Sequence, residues 1–139
     1  MNILVIDAQG GGIGKQLVSR IKKNFPAEQV TAIGTNSIAT AAMLKAGADR
    51  GATGENAVVV ACRNADLIVG PVGIIIADAM LGEITPMIAK SVAQAGATRI
   101  LIPFNLCETH IAGCCELKVG ELIDETLDKI RVILHEKYS

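Results

Sequence analysis

Short aliphatic runs that are apolar on both faces, spaced by stretches of helical periodicity, constrain this chain more than any other feature. Asn2–Asp7 is the first of them, and a strand buried on both faces belongs in a parallel sheet with helices above and below. Beyond it, Gly10–Gly14 opens a helix in which Ile13, Leu17, Ile21 and Phe25 recur on one side and Lys15, Arg20, Lys22 and Lys23 on the other, until Pro26 stops it. A second strand follows at Gln29–Ile33. Ser37 is then read as the N-cap of a helix running to Ala46 and closed by Gly47.

The remaining elements continue the alternation. Ala48–Thr53 suits a short third strand. Glu55–Cys62 is read as a helix from its position, although Val58-Val59-Val60 favours a strand. Asp66–Gly70 is the fourth strand, followed by the turn Pro71-Val72-Gly73. Thr85-Pro86 has the form of an N-cap with proline at the first helical position, and Gly96 ends that helix. Arg99–Phe104 is a fifth strand and Thr109–Gly113 a short edge strand. The last helix carries one stripe of Val119, Leu122, Ile123, Thr126, Leu127, Ile130, Ile133 and Leu134. The expectation is one Rossmann-like α/β domain over residues 1–139, a three-layer sandwich around an open, mostly parallel sheet of five or six strands.

Charge and composition remove several function classes. Thirteen basic against fourteen acidic side chains leave a net charge of −1, and the aromatic residues are two Phe and one Tyr. That offers neither a phosphate-neutralising surface for a duplex nor a platform for stacking bases. The most apolar stretch, Val58–Leu81, is interrupted by Arg63, Asp66 and Asp78, so it reads as buried elements rather than a membrane span. The first strand begins at once, with no basic region or cleavage site of a secretory leader. We therefore expect a cytoplasmic protein with reduced thiols at Cys62, Cys107, Cys114 and Cys115.

Ligands of such sheets bind outside the carboxyl ends of the strands. After the first strand stands Asp7-Ala8-Gln9-Gly10-Gly11-Gly12-Ile13-Gly14-Lys15. Glycines there let backbone amides approach a phosphate, with the helix dipole behind them, and Lys15 adds a positive charge in the first turn. A nucleotide or phosphorylated metabolite is the expected ligand. The alternative is that the glycines only permit a tight turn.

Which nucleotide is harder to read. NAD or NADP fits weakly, because the dinucleotide fingerprint needs glycine where Lys15 stands and the short-chain-dehydrogenase variant needs it at Ala8. That enzyme class also needs a Tyr-x-x-x-Lys pair, and the one tyrosine is Tyr138. A Walker A loop fails at Gln9 and Gln16, which removes phosphoryl transfer. At the end of the second strand, Thr35, Asn36 and Ser37 are polar but uncharged. They are read either as ribose or 2′-phosphate contacts, or as a turn and a cap.

Asp7 ends a buried strand and needs a partner, for which amides of its own loop are preferred over a cation or a sugar hydroxyl. Asn105, after the fifth strand, is a second candidate on the same edge. Cys107, His110, Cys114 and Cys115 have the look of a metal cluster, but in a strand the adjacent Cys114 and Cys115 would point apart, and core cysteines are the preferred reading. Gly73–Leu81 is more apolar than a loop should be. It is read as an interface, giving a homo-oligomer with a two-fold dimer as the default. A non-enzymatic oligomer or adaptor that binds no ligand is the alternative function.

The motifs Val-Ile-Asp-Ala-Gln-Gly-Gly-Gly-Ile-Gly-Lys, Ala-Ile-Gly-Thr-Asn-Ser-Ile-Ala-Thr and Gly-Pro-Val-Gly-Ile-Ile-Ile-Ala-Asp make the chain similar to a family of short bacterial proteins. That family is catalogued only as a domain of unknown function. The resemblance covers nearly the whole chain and implies the same Rossmann-like fold. The family's loop resembles Asp-Gly-Gln-Gly-Gly-Gly-Ile-Gly, so Ala8 stands here in place of a glycine. No reaction, and therefore no catalytic residue, comes with it.

Overall fold

A computed structural model describes residues 1–104, 108–114 and 116–139. β1 (Asn2–Asp7) sends its side chains alternately into two apolar layers. Ile3 and Val5 pack with Leu17, Val18, Ile21, Met43, Ile123 and Leu127. Leu4 and Ile6 pack with Val58, Ile68, Ile74, Ile88 and Val92. The first layer lies under α1 (Gly12–Asn24), α2 (Ser37–Lys45) and α5 (Val119–Tyr138), and the second under α3 (Glu55–Asn64) and α4 (Pro86–Gln94).

Between the helices, β1 is central, flanked by β2 (Gln29–Gly34) and β3 (Arg50–Thr53) on one side and by β4 (Leu67–Pro71) and β5 (Thr98–Ile102) on the other. The order is β3-β2-β1-β4-β5 and every pairing is parallel. This is the three-layer doubly wound architecture expected from the sequence, with five strands among the described residues. The chain winds outward from β1 to β3, then crosses back to β4 on the other side of β1. The carboxyl ends of β1 and β4 therefore flank the switch point, where such sheets open a crevice.

Several local readings change. The valine run in α3 is helical because Val58 and Cys62, four residues apart, both face the core while Val60 points outward. The cap of α2 is Asn36, not Ser37: the Asn36 side chain accepts from the Ala39 amide at 2.9 Å, and Ser37 is the first helical residue. Thr109–Gly113 is not a strand; Gly113 sits at φ +80° in a turn closed by the Cys114 amide on the Ile111 carbonyl. No helix among the described residues is long and apolar enough to cross a membrane.

Gly73–Leu81 also differs from its reading as a surface patch. Val72–Ile75 is a single 3-10 turn, and Ile74, Ala79 and Met80 are buried against the chain's own second layer. The segment then knots on itself: the Asp78 amide donates to the Ile84 carbonyl and the Ile84 amide to that of Ala79. Of its large side chains only Leu81 is left out, 98% exposed.

Candidate functional site

The loop after β1 divides into residues that build it and residues that face outward. Asp7 is a builder. Its Oδ1 accepts from the Ala8 amide at 2.8 Å and its Oδ2 from the Gly14 amide at 2.7 Å, so it ties the strand end to the first turn of α1. Burial pushes its carboxyl above the ordinary value, the Gly14 and Ala8 amides pull it back, and the nearby Glu83 charge adds to the rise. Its preferred partners, the amides of its own loop, are the observed ones.

Two of the glycines are builders too. Gly11 caps α1 at φ +73°, and a Cβ there would lie 2.9 Å from the Ala39 Cα. A Cβ on Gly14 would meet Met43 Sδ at 2.6 Å and Asp7 Cβ at 2.8 Å. Close approach of α1 to α2 and β1 requires both.

Gly10 and Gly12 are different, because a Cβ on either would stand in open space. The Gly11 amide is used by the Ala8 carbonyl and the Gly14 amide by Asp7. No acceptor among the described residues takes the amides of Gly10, Gly12 or Ile13. These amides belong to the loop and the first turn of α1, where helix N–H groups have no intrahelical partner and the dipole favours an anion. They border a cleft of about 210 Å³ lined by Asp7, Gln9, Gln16, Pro71, Met80 and Phe104, among others. It opens over the ends of β1 and β4 and reaches toward Val119 at the start of α5.

The second strand's end is occupied from within. Glu83, on the segment between β4 and α4, places one carboxylate oxygen, Oε1, against three donors: the Thr35 hydroxyl at 2.7 Å, the Asn36 side-chain amide at 2.8 Å and the Gln9 backbone amide at 2.9 Å. Asn36 Nδ2 also donates to the Gln9 carbonyl at 2.9 Å. Burial alone raises the Glu83 carboxyl, but the donors outweigh it and hold the group below its ordinary value, as an anion. Around it the backbone is unusual. Gln9, Asp78, Met80 and Leu81 are all non-glycine residues at positive φ, between 53° and 66°, conformations that concentrate at functional sites.

The candidate residues thus separate. Gln9, Gly10 and Gly12 line the cleft, with Asp7 at its base. Gly11 and Gly14 shape the loop. Thr35 and Asn36 come to the same edge but hold Glu83, while Ser37 is exposed beside them. Lys15 does not line the cleft. It borders a separate basic groove with Ser19, Arg20 and Lys45 between α1, α2 and α5. Asn105, Cys107 and Cys115 lie outside the described residues, and no group of three His, Cys, Asp or Glu suited to a metal occurs among the described ones.

Glu83 is not among the residues the sequence points to, because a ribose-binding carboxylate ordinarily stands at the end of β2 and this one lies 47 residues after Asn36. The available signal was topological: any charge between a parallel strand and its next helix falls on the carboxyl edge.

Fold and site together define a small doubly wound α/β protein whose glycine-rich loop stands at the switch point. The chain belongs to the family described as Domain of unknown function (DUF3842), whose model matches residues 2–135. No curated protein matches it. It is similar over 94% of both chains to a dodecameric FMN-dependent Ubix-like decarboxylase from Escherichia coli O157:H7, at 12% identity and a TM-score of 0.45.

Proposed function

We propose that this protein binds a small phosphorylated ligand, a mononucleotide or a phosphorylated metabolite, with its phosphate on the amides of Gly10, Gly12 and Ile13. The observation that carries the reading is that these amides have no acceptor among the described residues and border an open cleft. Neighbouring amides of the same loop are satisfied by Asp7 and Ala8. A polar group left free at the mouth of a crevice is available to a ligand.

The rest of the ligand lies toward Pro71, Met80, Phe104 and Val119. NAD and NADP fit this arrangement poorly in the usual Rossmann pose, since that pose lays the adenosine ribose at the end of β2, where Glu83 already engages Thr35 and Asn36. Lys15, which borders the neighbouring groove, contributes field rather than contact.

A thermal-shift series with inorganic phosphate, AMP, FMN, ATP, S-adenosylmethionine, NAD and NADP tests this, because a ligand that binds only the native state stabilises it by RT ln(1 + [L]/Kd). The expected result is saturable stabilisation by one or more phosphate esters, abolished in Gly12→Asp. No shift at millimolar concentration with any of them overturns the reading.

One observation favours a second role for the same edge, that of an interface. Leu81 is 98% exposed on a backbone held at positive φ, and Ile38, two residues after Asn36, is 71% exposed. Large apolar side chains displayed on one edge are suited to being covered, and a homodimer is the simplest assembly that covers them.

A further inference from the structure

We infer that the glycine-loop cleft takes its ligand's phosphate as a monoanion, so that a phosphate diester or a protonated monoester is preferred over a dianion. This rests on the phosphate-binding reading above and adds the charge class of the group that the loop amides would hold.

Among the described residues lining the cleft there is no Lys, Arg or His, and the charged side chain is Asp7. Its two oxygens each accept an amide N–H, one from Ala8 and one from Gly14, the pattern of an ionised carboxylate. The Gln9 amide donates to a second carboxylate, that of Glu83, at 2.9 Å. Ala8, Gln9 and Gly14 thus give their N–H groups to resident anions. Gly10, Gly12 and Ile13, whose amides are left over, lie between them in the chain.

The balance of charge is unfavourable to a dianion. A helix N-terminus is worth about half a positive charge, against the two full negative charges of Asp7 and Glu83. Lys15 and Lys118 stand next to lining residues in sequence, but both are exposed, and Lys15 borders the other groove. Solvent and salt screen such charges. Arg20, also in that groove, is paired with Asp124. Three neutral amides can hold one negative charge in this setting. A second charge on the same phosphate adds repulsion from two carboxylates and gains no new donor.

The cleft also carries acceptors, which a protonated phosphate can use and a bare dianion cannot. Gln16 donates through Nε2 to the Gly12 carbonyl at 3.1 Å, and its Oε1 has no partner among the described residues. Each Asp7 oxygen keeps a second lone pair beyond the amide it accepts. A P–OH group therefore has oxygens to donate to.

Calorimetric titration of the intact chain with methyl phosphate, dimethyl phosphate and sulfate tests this. Two pH values are used, about 5 and about 8, because a phosphate monoester loses its second proton at about 6. Dimethyl phosphate carries one charge and sulfate two at both values, so they separate titration of the ligand from titration of the protein. At the higher pH, dimethyl phosphate is expected to bind about fivefold or more tightly than methyl phosphate or sulfate. Methyl phosphate should recover most of that ratio at the lower pH. Glu83→Gln keeps an acceptor for the Gln9 amide but removes the charge, and should narrow the ratio at the higher pH to roughly twofold. Methyl phosphate or sulfate binding as tightly as dimethyl phosphate at the higher pH overturns the inference and leaves the phosphate reading in place. A methyl-to-dimethyl ratio that moves neither with pH nor in Glu83→Gln does the same. If none of the three binds at millimolar concentration, the reading of the loop falls and this inference falls with it.

Discussion

Gly11 and Gly12 are neighbours in sequence and opposites in consequence. Gly11→Ala places a Cβ 2.9 Å from Ala39 Cα at φ +73°, so it combines a left-handed penalty of about 1–2 kcal/mol with an overpacking term of about 1–3 kcal/mol. Denaturant midpoints should show that loss. Gly12→Ala meets nothing within 4 Å and should leave stability within about 1 kcal/mol of wild type, so any effect it has on phosphate binding reports the site itself. Asp7→Asn tests the builder role. Ala8 and Gly14 donate to different oxygens of Asp7, and in Asn one of these becomes an NH2 that cannot accept, so one stranded N–H should lower stability by about 1–3 kcal/mol. Because burial raises the folded-state Asp7 carboxyl above 3.8, Asp7 favours folding most below that value. Its contribution is lost as pH rises through the folded value, and the Asn variant should lack this slope when unfolding is followed from about pH 4 upward. At this scale the sequence was half legible. The loop and the partners of Asp7 could be read from it, but which glycine packs and which faces the cleft depends on where α2 lies.

Elements are legible in the sequence where periodicity and caps agree, as for β1 and α1, and for α4 with Thr85 as its cap and Pro86 at its first position. Thr85→Ala removes an acceptor for the Ile88 amide and should destabilise by about 1 kcal/mol in thermal or chemical unfolding. The less legible element was the connection from β4 to α4. Its apolar composition suggests an exposed patch, yet Ile74, Ala79, Met80 and Ile84 fill a layer that helices alone leave open, and no short-range pattern encodes such a knot. Its hold on the glycine loop is electrostatic. Donors from Gln9, Thr35 and Asn36 outweigh burial and keep the Glu83 carboxyl below 4.5, so its stabilisation is present above that value and fades as pH falls through the lower folded one. Hydrogen exchange of the Gln9 amide should accelerate on acidification beyond its intrinsic pH dependence, and Glu83→Gln should remove that component.

The whole molecule was the most legible level, because a parallel sheet follows from two-faced apolar strands and its carboxyl edge follows from connectivity. Assembly is a question for solution measurement. Sedimentation velocity should return about twice the chain mass of 14.5 kDa, and Leu81→Asp should return the monomer by placing a charge where the interface closes. What the architecture does depends on the amides at the switch point. The most direct test is a phosphate titration followed in the ¹⁵N–¹H spectrum of the assigned chain. The Gly10, Gly12 and Ile13 amides should move together and saturate, while the amides of Gly11 and Gly14, already donated to Ala8 and Asp7, should move little. Saturable shifts confined to the Lys15–Lys45 groove, or none at the loop at millimolar phosphate, would contradict it.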